Sequence, residues 1–263
     1  MSPARTRPTV AAQRRHEILR AIRSGSTHVG ELAESFGVSE MTVRRDLDEL
    51  ARDGQIERVR GGAVSLGAEP PFDETLIERY DAKDRIGAAA AALVSPGQTV
   101  MLDIGTTTLQ VARHLHGRAI TVVTSSLAVY DELKGDQAVE LILPGGLVRR
   151  NYRSLVGILA EQSLRQLKAD MLFLGTSGVD ARLDVWDTTM VEVPIKRAMI
   201  DAAASVTLVA DAAKFAMGGL VRVCDAAALD RLVTDAAPPE PARAAAEAAG
   251  VELVVAADGA QRT

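Results

Sequence analysis

Hydrophobic positions recur along this chain with two different periods, and the change of period divides it. From Gln13 to Arg23, residues Ile18, Leu19 and Ile22 share one face of a helical projection, and Gly25 ends the pattern. Val29 to Phe36 gives a second short amphipathic helix that turns Leu32, Ala33 and Phe36 inward. Gly37-Val38 reads as a tight turn, and Ser39 opens a third helix as its N-cap. In that helix Val43, Leu47 and Leu50 stand at i, i+4 and i+7. Met41, Arg45, Asp48 and Arg52 lie opposite, with Thr42 and Arg44 at the edges, and Gly54 ends the helix. Gln55 to Arg60 then alternates with period two, Gly61-Gly62 reads as a hairpin turn, and Ala63-Val64 starts a return strand. Two short helices around a glycine-containing turn, followed by a hairpin, predict a winged helix-turn-helix over residues 13–64. Residues 1–12 carry Pro3, Arg5, Arg7 and Pro8 without an apolar period and read as a flexible arm. Pro70 and Pro71 place a linker at 65–75.

From Gln98 onward the pattern is different. Short, continuously apolar runs alternate with helical stretches: Val100 to Leu102, Ile120 to Val123, Val139 to Leu143, Met171 to Leu174, Val206 to Val209, Leu232-Val233 and Val251 to Val255. Such runs predict a mostly parallel, Rossmann-like α/β sheet covered on both faces, here over residues 76–263. Ligands of such sheets bind beyond the carboxyl ends of the strands. Those ends carry Asp103-Ile104-Gly105-Thr106-Thr107-Thr108, Thr124-Ser125-Ser126, Gly145-Gly146 with Arg149 and Arg150, Gly175-Thr176-Ser177-Gly178, and Asp211 with Lys214. The first of these joins a strand to a helix N-terminus. Glycine there lets backbone approach a ligand, and free N–H groups with threonine hydroxyls can surround a phosphate. It is not a P-loop, because the Gly-Lys-Ser/Thr element is missing. From this stretch alone, a threonine-capped helix without a ligand reads equally well.

Composition narrows the classes. Apolar residues make up 47% and charged residues 25% of 263 positions, which fits a globular chain of two domains. The net charge of −5 hides an asymmetry. Residues 1–60 hold 11 arginines against 9 acidic residues, and the remainder holds 19 basic against 26 acidic. A mildly basic head on an acidic body fits a DNA-binding unit with a separate regulatory one. The single cysteine, Cys224, excludes an internal disulfide and a cysteine-based zinc site, and no metal site is expected. No apolar run reaches the roughly 18 residues of a membrane span, and no apolar segment follows the N-terminal arginines, so a cytoplasmic protein is expected.

Arg14, Ile18 and Ile22, then Ser39, Thr42, Val43, Arg44, Arg45, Asp46 and Leu47, resemble the signature of DeoR-type bacterial transcriptional regulators in spacing and residue type. The second half resembles the sensor domain of the same family at Asp103 to Thr107, Thr124 to Ser126, Gly145-Gly146 with Gly157, Asp170 with Gly175 and Gly178, Glu192 with Lys196, and Asp211 with Lys214. The resemblance runs from about residue 14 to 255. It implies a body like ribose-5-phosphate isomerase and the CoA-transferase folds, with a pocket for a phosphorylated sugar or related metabolite. By that resemblance Gly105, Thr106 and Thr107 hold the phosphate, Asp103, Glu192, Asp211 and Lys214 face the polyol, and Lys196 serves either part. Ser125, Gly145, Gly146, Arg149 and Gly175 complete the expected site. Two departures stand out: the family usually has Asn at the position of Ser125, and Asp180 to Asp187, with Trp186, does not follow the pattern. Pro194 leaves the geometry of Glu192 and Lys196 open, with surface ion pairing the plain alternative.

The expected function is therefore a sequence-specific transcriptional regulator, a repressor by resemblance, that binds double-stranded operator DNA as a homo-oligomer (dimer or tetramer) and responds to a phosphorylated metabolite. Ser39, Met41, Thr42, Arg44, Arg45 and Arg52 form the DNA-reading face, and Arg58 and Arg60 of the wing extend it over phosphates. The competing reading is a sugar-phosphate isomerase with a DNA-binding appendage, since Asp, Glu and Lys in one pocket can do acid–base work. No nearby histidine or activated nucleophile supports it, so no catalytic residue and no cofactor are expected. A scaffold that uses the head for protein contacts is a third reading.

Overall fold

The computed structural model describes residues 10–23, 28–52, 56–59, 62–65 and 71–256. The chain divides into two compact units, Met1–Glu69 and Pro70–Thr263.

The first unit holds helices α1 (Val10–Arg23), α2 (Val29–Phe36) and α3 (Glu40–Arg52), then strands β1 (Ile56–Val59) and β2 (Gly62–Ser65). Helix α1 starts at Val10, inside the stretch expected to be an arm. Val10-Ala11-Ala12 contains no helix breaker, and alanine is the best helix former. Helix α2 ends at Gly37 in the left-handed region (φ +61°), where Gly37 N–H donates to Glu34 and Val38 N–H donates to Ala33. That closing motif turns the chain sharply into α3. Ile18, Leu19, Ile22, Leu32, Val43, Leu47, Leu50 and Ile56 form one buried cluster, so the three helices and the wing share a core. In the wing, Val59 pairs with Gly62 and Ile56 with Ser65. Gly62 thus belongs to the return strand and not to the turn, a correction of the Gly61-Gly62 expectation: a glycine pair marks a hairpin without fixing its register.

The second unit begins with α4 (Phe72–Ile77) and α5 (Tyr80–Ala91). The expected linker of 65–75 therefore ends earlier. Phe72 is buried against Leu109, Ala128 and Tyr152, and its N–H donates to Asn151. Then follow β3 (Thr99–Leu102), α6 (Thr106–Arg113), β4 (Ile120–Thr124), α7 (Leu127–Leu133), β5 (Val139–Ile142), the hairpin β6 (Leu147–Arg149) and β7 (Ser154–Val156), and α8 (Ile158–Leu164). After these come β8 (Met171–Leu174), β9 (Gly178–Val179), β10 (Val185–Asp187), α9 (Val193–Ala202), β11 (Val206–Val209), β12 (Val221–Cys224), β13 (Arg231–Thr234), α10 (Glu240–Ala249) and β14 (Glu252–Val255).

Seven strands form one sheet in the order β14-β13-β11-β8-β3-β4-β5, and every pair in it is parallel. Alternate residues of each strand enter two separate cores. Met101, Leu172, Leu174, Leu208 and Leu232 pack with α8, α9 and α10 on one face. Val100, Leu102, Val122, Phe173 and Val233 pack with α5, α6 and α7 on the other. Both faces being dry explains why the strands read as continuous apolar runs. After β3 the chain moves to β4, on one side, and after β8 it moves to β11, on the other. The carboxyl ends of β3 and β8 therefore flank a topological switch point, where open α/β sheets bind ligands. Strands β9, β10 and β12 form a small antiparallel sheet that continues from the end of β8.

Candidate functional site

The head exposes the face of α3 that sequence analysis singled out. Met41 is 61% exposed, and Arg44, Arg45 and Arg52 are exposed with it. Ser39 Oγ accepts from the Thr42 N–H at 3.2 Å and shares a 2.9 Å hydrogen bond with Thr42 Oγ1, so the two hydroxyls cap the helix together. Arg44 pairs with Glu40 and Arg52 with Glu49, both on the surface. Such pairs are worth little, and either arginine can leave its partner for a phosphate or a base. Arg58 lies in β1, opposite Ala63; its side chain and all of Arg60 lie outside the described residues. Asp46 stands on the buried face of α3, where Arg14 Nε and Nη2 donate to its two oxygens at 2.6 and 3.2 Å. This bidentate pair ties α1 to α3 and fixes the angle at which the arginine face is presented. The signal was available: a carboxylate set among Val43, Leu47 and Leu50 on one face needs a cation.

In the second unit the expected residues assemble around the switch point. Asp103, directly after β3, is fully buried. Its Oδ2 accepts from the Gly175 N–H at 2.9 Å, across the gap to the end of β8, and from Lys196 Nζ on α9. Lys196 also donates to the Gly175 carbonyl at 3.1 Å and lies 3.5 Å from Asp187. Burial alone would lower the Lys196 pKa, but Asp103 and Asp187 more than offset it and hold it above the ordinary lysine value. Burial pushes Asp103 up, against the pull of Lys196. A Cβ on Gly175 would stand 2.8 Å from the Ile104 carbonyl, so the two strand ends can close only over a glycine.

Glu192 and Lys196 are both buried, at 1% and 2% exposure, which rules out the surface-pair alternative. Lys196 N–H donates to the Glu192 carbonyl at 3.0 Å, so Pro194 sits in the first turn of α9 without breaking the i, i+4 relation. Their side chains diverge. Glu192 Oε1 accepts from Ser154 Oγ at 2.6 Å and from Arg149, both on the β6–β7 hairpin. Burial pushes the Glu192 carboxyl up despite these donors. Ser154, which sequence analysis did not single out, is thus part of the site; a lone serine on a two-residue alternation gave no signal.

Three polar atoms at these strand ends are buried without a hydrogen-bond partner: Asp103 Oδ1, Ser125 Oγ and Glu192 Oε2. Native interiors rarely leave such groups unmatched, and each costs on the order of 1–3 kcal/mol. Beside them Gly105 caps α6 with φ +127°, a conformation open only to glycine, and no side chain caps that helix. Thr106 and Thr107 follow as buried first-turn residues, so this helix end offers N–H groups and hydroxyls to an anion.

The remaining expected residues are placed otherwise. Gly146 packs its backbone against Val156 and Ala160, where a Cβ would lie 2.9 Å from the Val156 carbonyl, while Gly145 has open space. Asp211 caps the short helix Ala212–Ala216 by accepting from Ala213 N–H and pairs with Arg79 at 2.9 Å. Lys214, one turn on, lies in the same short helix. Lys83 of α5 joins this second group. It donates to the Thr75 carbonyl at 2.5 Å, and burial lowers its pKa to about 8, with Asp211 opposing. Trp186 donates to Asp180 at 3.1 Å, so the divergent 180–187 segment is a closed turn leading into β10.

A helix-turn-helix unit with an exposed arginine face, joined to a parallel sheet that gathers buried polar and charged groups at its switch point, has the make-up of a DNA-binding regulator with a sensing body. Residues 14–68 match the DeoR-like helix-turn-helix domain, and residues 78–236 match the DeoR C terminal sensor domain. The chain is 34% identical over 256 residues to the HTH-type transcriptional regulator GlpR of Haloferax volcanii, covering 95% of this chain and 99% of the relative. It is 33% identical to the glycerol-3-phosphate regulon repressor of Escherichia coli K12, covering 86% and 92%. This chain belongs to the DeoR family of transcriptional regulators, a regulator family and not an enzyme family. Among solved structures, a ribose 5-phosphate isomerase from Methanocaldococcus jannaschii aligns over 52% of this chain and 55% of that one, with 15% identity and a TM-score of 0.40. Among the described residues no helix is long and apolar enough to cross a membrane.

Proposed function

We propose that the protein is a repressor of carbohydrate-metabolism genes, released from or recruited to its operator by a small phosphorylated sugar or related metabolite. The observation that carries this reading is the trio of buried, unpartnered atoms, Asp103 Oδ1, Ser125 Oγ and Glu192 Oε2, beside the uncapped N-terminus of α6. A polyol supplies hydroxyls that donate to two carboxylates and exchange a hydrogen bond with a serine. A phosphate matches the Gly105-Thr106-Thr107 helix end. Arg149 neutralises Glu192 from the hairpin and can turn to an anionic ligand. Relatives named for a glycerol 3-phosphate regulon accord with a phosphorylated polyol as the ligand class.

The hairpin gives the ligand a route to the start of the unit. Arg149 and Ser154 touch Glu192, while the hairpin tip holds Phe72: Tyr152 packs edge-on at 5.7 Å, Arg153 stacks at 5.6 Å, and Asn151 accepts the Phe72 N–H. Phe72 directly follows the connection to the DNA-binding unit. A ligand that displaces Arg149 moves this strap, and a differential affinity of about 1–3 kcal/mol is enough to shift the DNA-competent population.

On DNA, Arg44 and Arg45 read base edges or phosphates, Ser39 and Thr42 fix the helix end, and Met41 and Arg52 flank it, with the wing arginines Arg58 and Arg60 over phosphates. One recognition helix reads one half-site, so the active species is a homo-oligomer, acting in the cytoplasm. Arg45→Ala should weaken specific operator binding by about 1–3 kcal/mol, or roughly fivefold to 150-fold, in a fluorescence anisotropy titration. Unchanged affinity removes Arg45 from base reading. The effector site is tested by a thermal-shift screen of triose, pentose and hexose phosphates. A stabilising compound should lose its effect on the Thr106→Val, Thr107→Val double variant, which keeps its DNA affinity. Full stabilisation of that variant would overturn the phosphate assignment.

A further inference from the structure

Six large apolar side chains are exposed on three neighbouring segments beside the Glu192 cluster: Leu147 and Val148 of β6, Ile158 and Leu159 at the start of α8, and Met190 and Val191 before Glu192. Leu147, Leu159 and Met190 are each more than 60% exposed. The segments are contiguous. Gly146 packs against Ala160, Leu147 pairs with Val156, and Ser154 and Arg149 both reach Glu192.

Two features of the hairpin say that something covers it. Leu147 and Val148 are successive strand residues, so their side chains point to opposite faces, yet both are exposed. The hairpin therefore stands off the body along β6. It is also a two-stranded sheet in which β6 pairs only with β7, and such sheets are marginal in water by themselves. Counting only one of Leu147 and Val148, since they point to opposite faces, the exposed side chains present on the order of 500 Å² of apolar surface, toward the roughly 800 Å² per partner that a stable protein–protein interface buries.

We propose that this patch is the surface through which two copies of this chain associate, with β6 of one copy lying against the patch of the other. Three observations favour a second copy over another protein. The six exposed side chains are all apolar, which suits an isologous contact between identical faces. The free edge of β6 can pair antiparallel with its own symmetry mate across a two-fold axis. Each chain also carries a single recognition helix, so a paired arrangement is needed to read two half-sites. This last point rests on the regulator reading given above; the first two do not. Because Arg149 and Glu192 lie on the same segments as the patch, a ligand at Glu192 acts directly on the contact between copies.

The experiment is sedimentation of the full chain without DNA or ligand, compared with the Leu147→Glu, Leu159→Glu double variant and with Val148→Arg as a second, smaller change. The expected result is a wild type of at least twice the single-chain mass, with both variants shifted to the single-chain mass and a sensor-unit melting transition retained. All three changes are on exposed positions, so folding is preserved. A wild type that sediments as one chain, or variants of unchanged mass, overturns the proposal. Neither DNA nor ligand enters the measurement, so failure of the regulator reading would leave these masses unaffected and appear in the DNA titrations instead.

Discussion

Lys196→Met should destabilise the second unit by about 3–5 kcal/mol, because it leaves two buried carboxylates without their cation. Asp103 and Asp187 are 0% and 3% exposed, and Lys196 is the ammonium that serves both. A unit of this size loses about 2–4 °C of melting temperature per kcal/mol, so a fall of roughly 6–20 °C is expected. The loss should also depend on pH with a definite sign. Without Lys196, burial raises the folded-state pKa of Asp103 further above its unfolded value. The folded state then binds more protons in that window, and stability recovers as pH falls through the raised pKa. Calorimetry at neutral and mildly acidic pH reads both effects. Adding Asp103→Asn to Lys196→Met should restore part of the loss. A single variant that melts with the wild type at every pH would mean that the buried pair does not hold the switch point together.

Leu47→Ala is the second large effect, and it separates the two units. Leu47 is fully buried on α3, in a core built from only about ten side chains. Truncations of this kind cost about 2–5 kcal/mol, which is most of what a small domain has. Operator binding should be lost, while the melting of the second unit and its response to a stabilising metabolite stay as in the wild type. Loss of both responses together would mean that the units do not fold independently.

The two variants bear on different kinds of legibility. The head was readable almost residue by residue, because its signals are local: a cap at Ser39, a turn at Gly37, one apolar stripe. What local pattern could not give was the partner of Asp46, which lies 32 positions away at Arg14. The strands of the second unit were readable as apolar runs because both faces of the sheet are covered. Their order was not, since β8 returns to lie beside β3 after two intervening sheet strands and a hairpin. The site therefore appeared in sequence as a set of strand ends, without saying which ends meet. The structure brings Asp103, Gly175, Lys196, Glu192 and Arg149 together, and gives Asp211 a different immediate partner, Arg79. The hairpin β6–β7 escaped notice because three-residue strands leave almost no period to detect. The prolines before Phe72 mark it as linker by local pattern, whereas its burial depends on Tyr152, far along the chain.

The central claim is that one molecule couples a phosphorylated ligand at the β3–β8 switch point to operator affinity. Operator DNA carrying a fluorophore, titrated with the full chain in the presence and absence of a metabolite selected by thermal shift, tests it most directly. Coupling of about 1–3 kcal/mol predicts that saturating metabolite changes the DNA dissociation constant by roughly fivefold to 150-fold, in a direction set by which state binds DNA. The same metabolite should leave the affinity of the Thr106→Val, Thr107→Val variant unchanged. A metabolite that stabilises the wild type yet leaves its operator affinity the same would contradict the account.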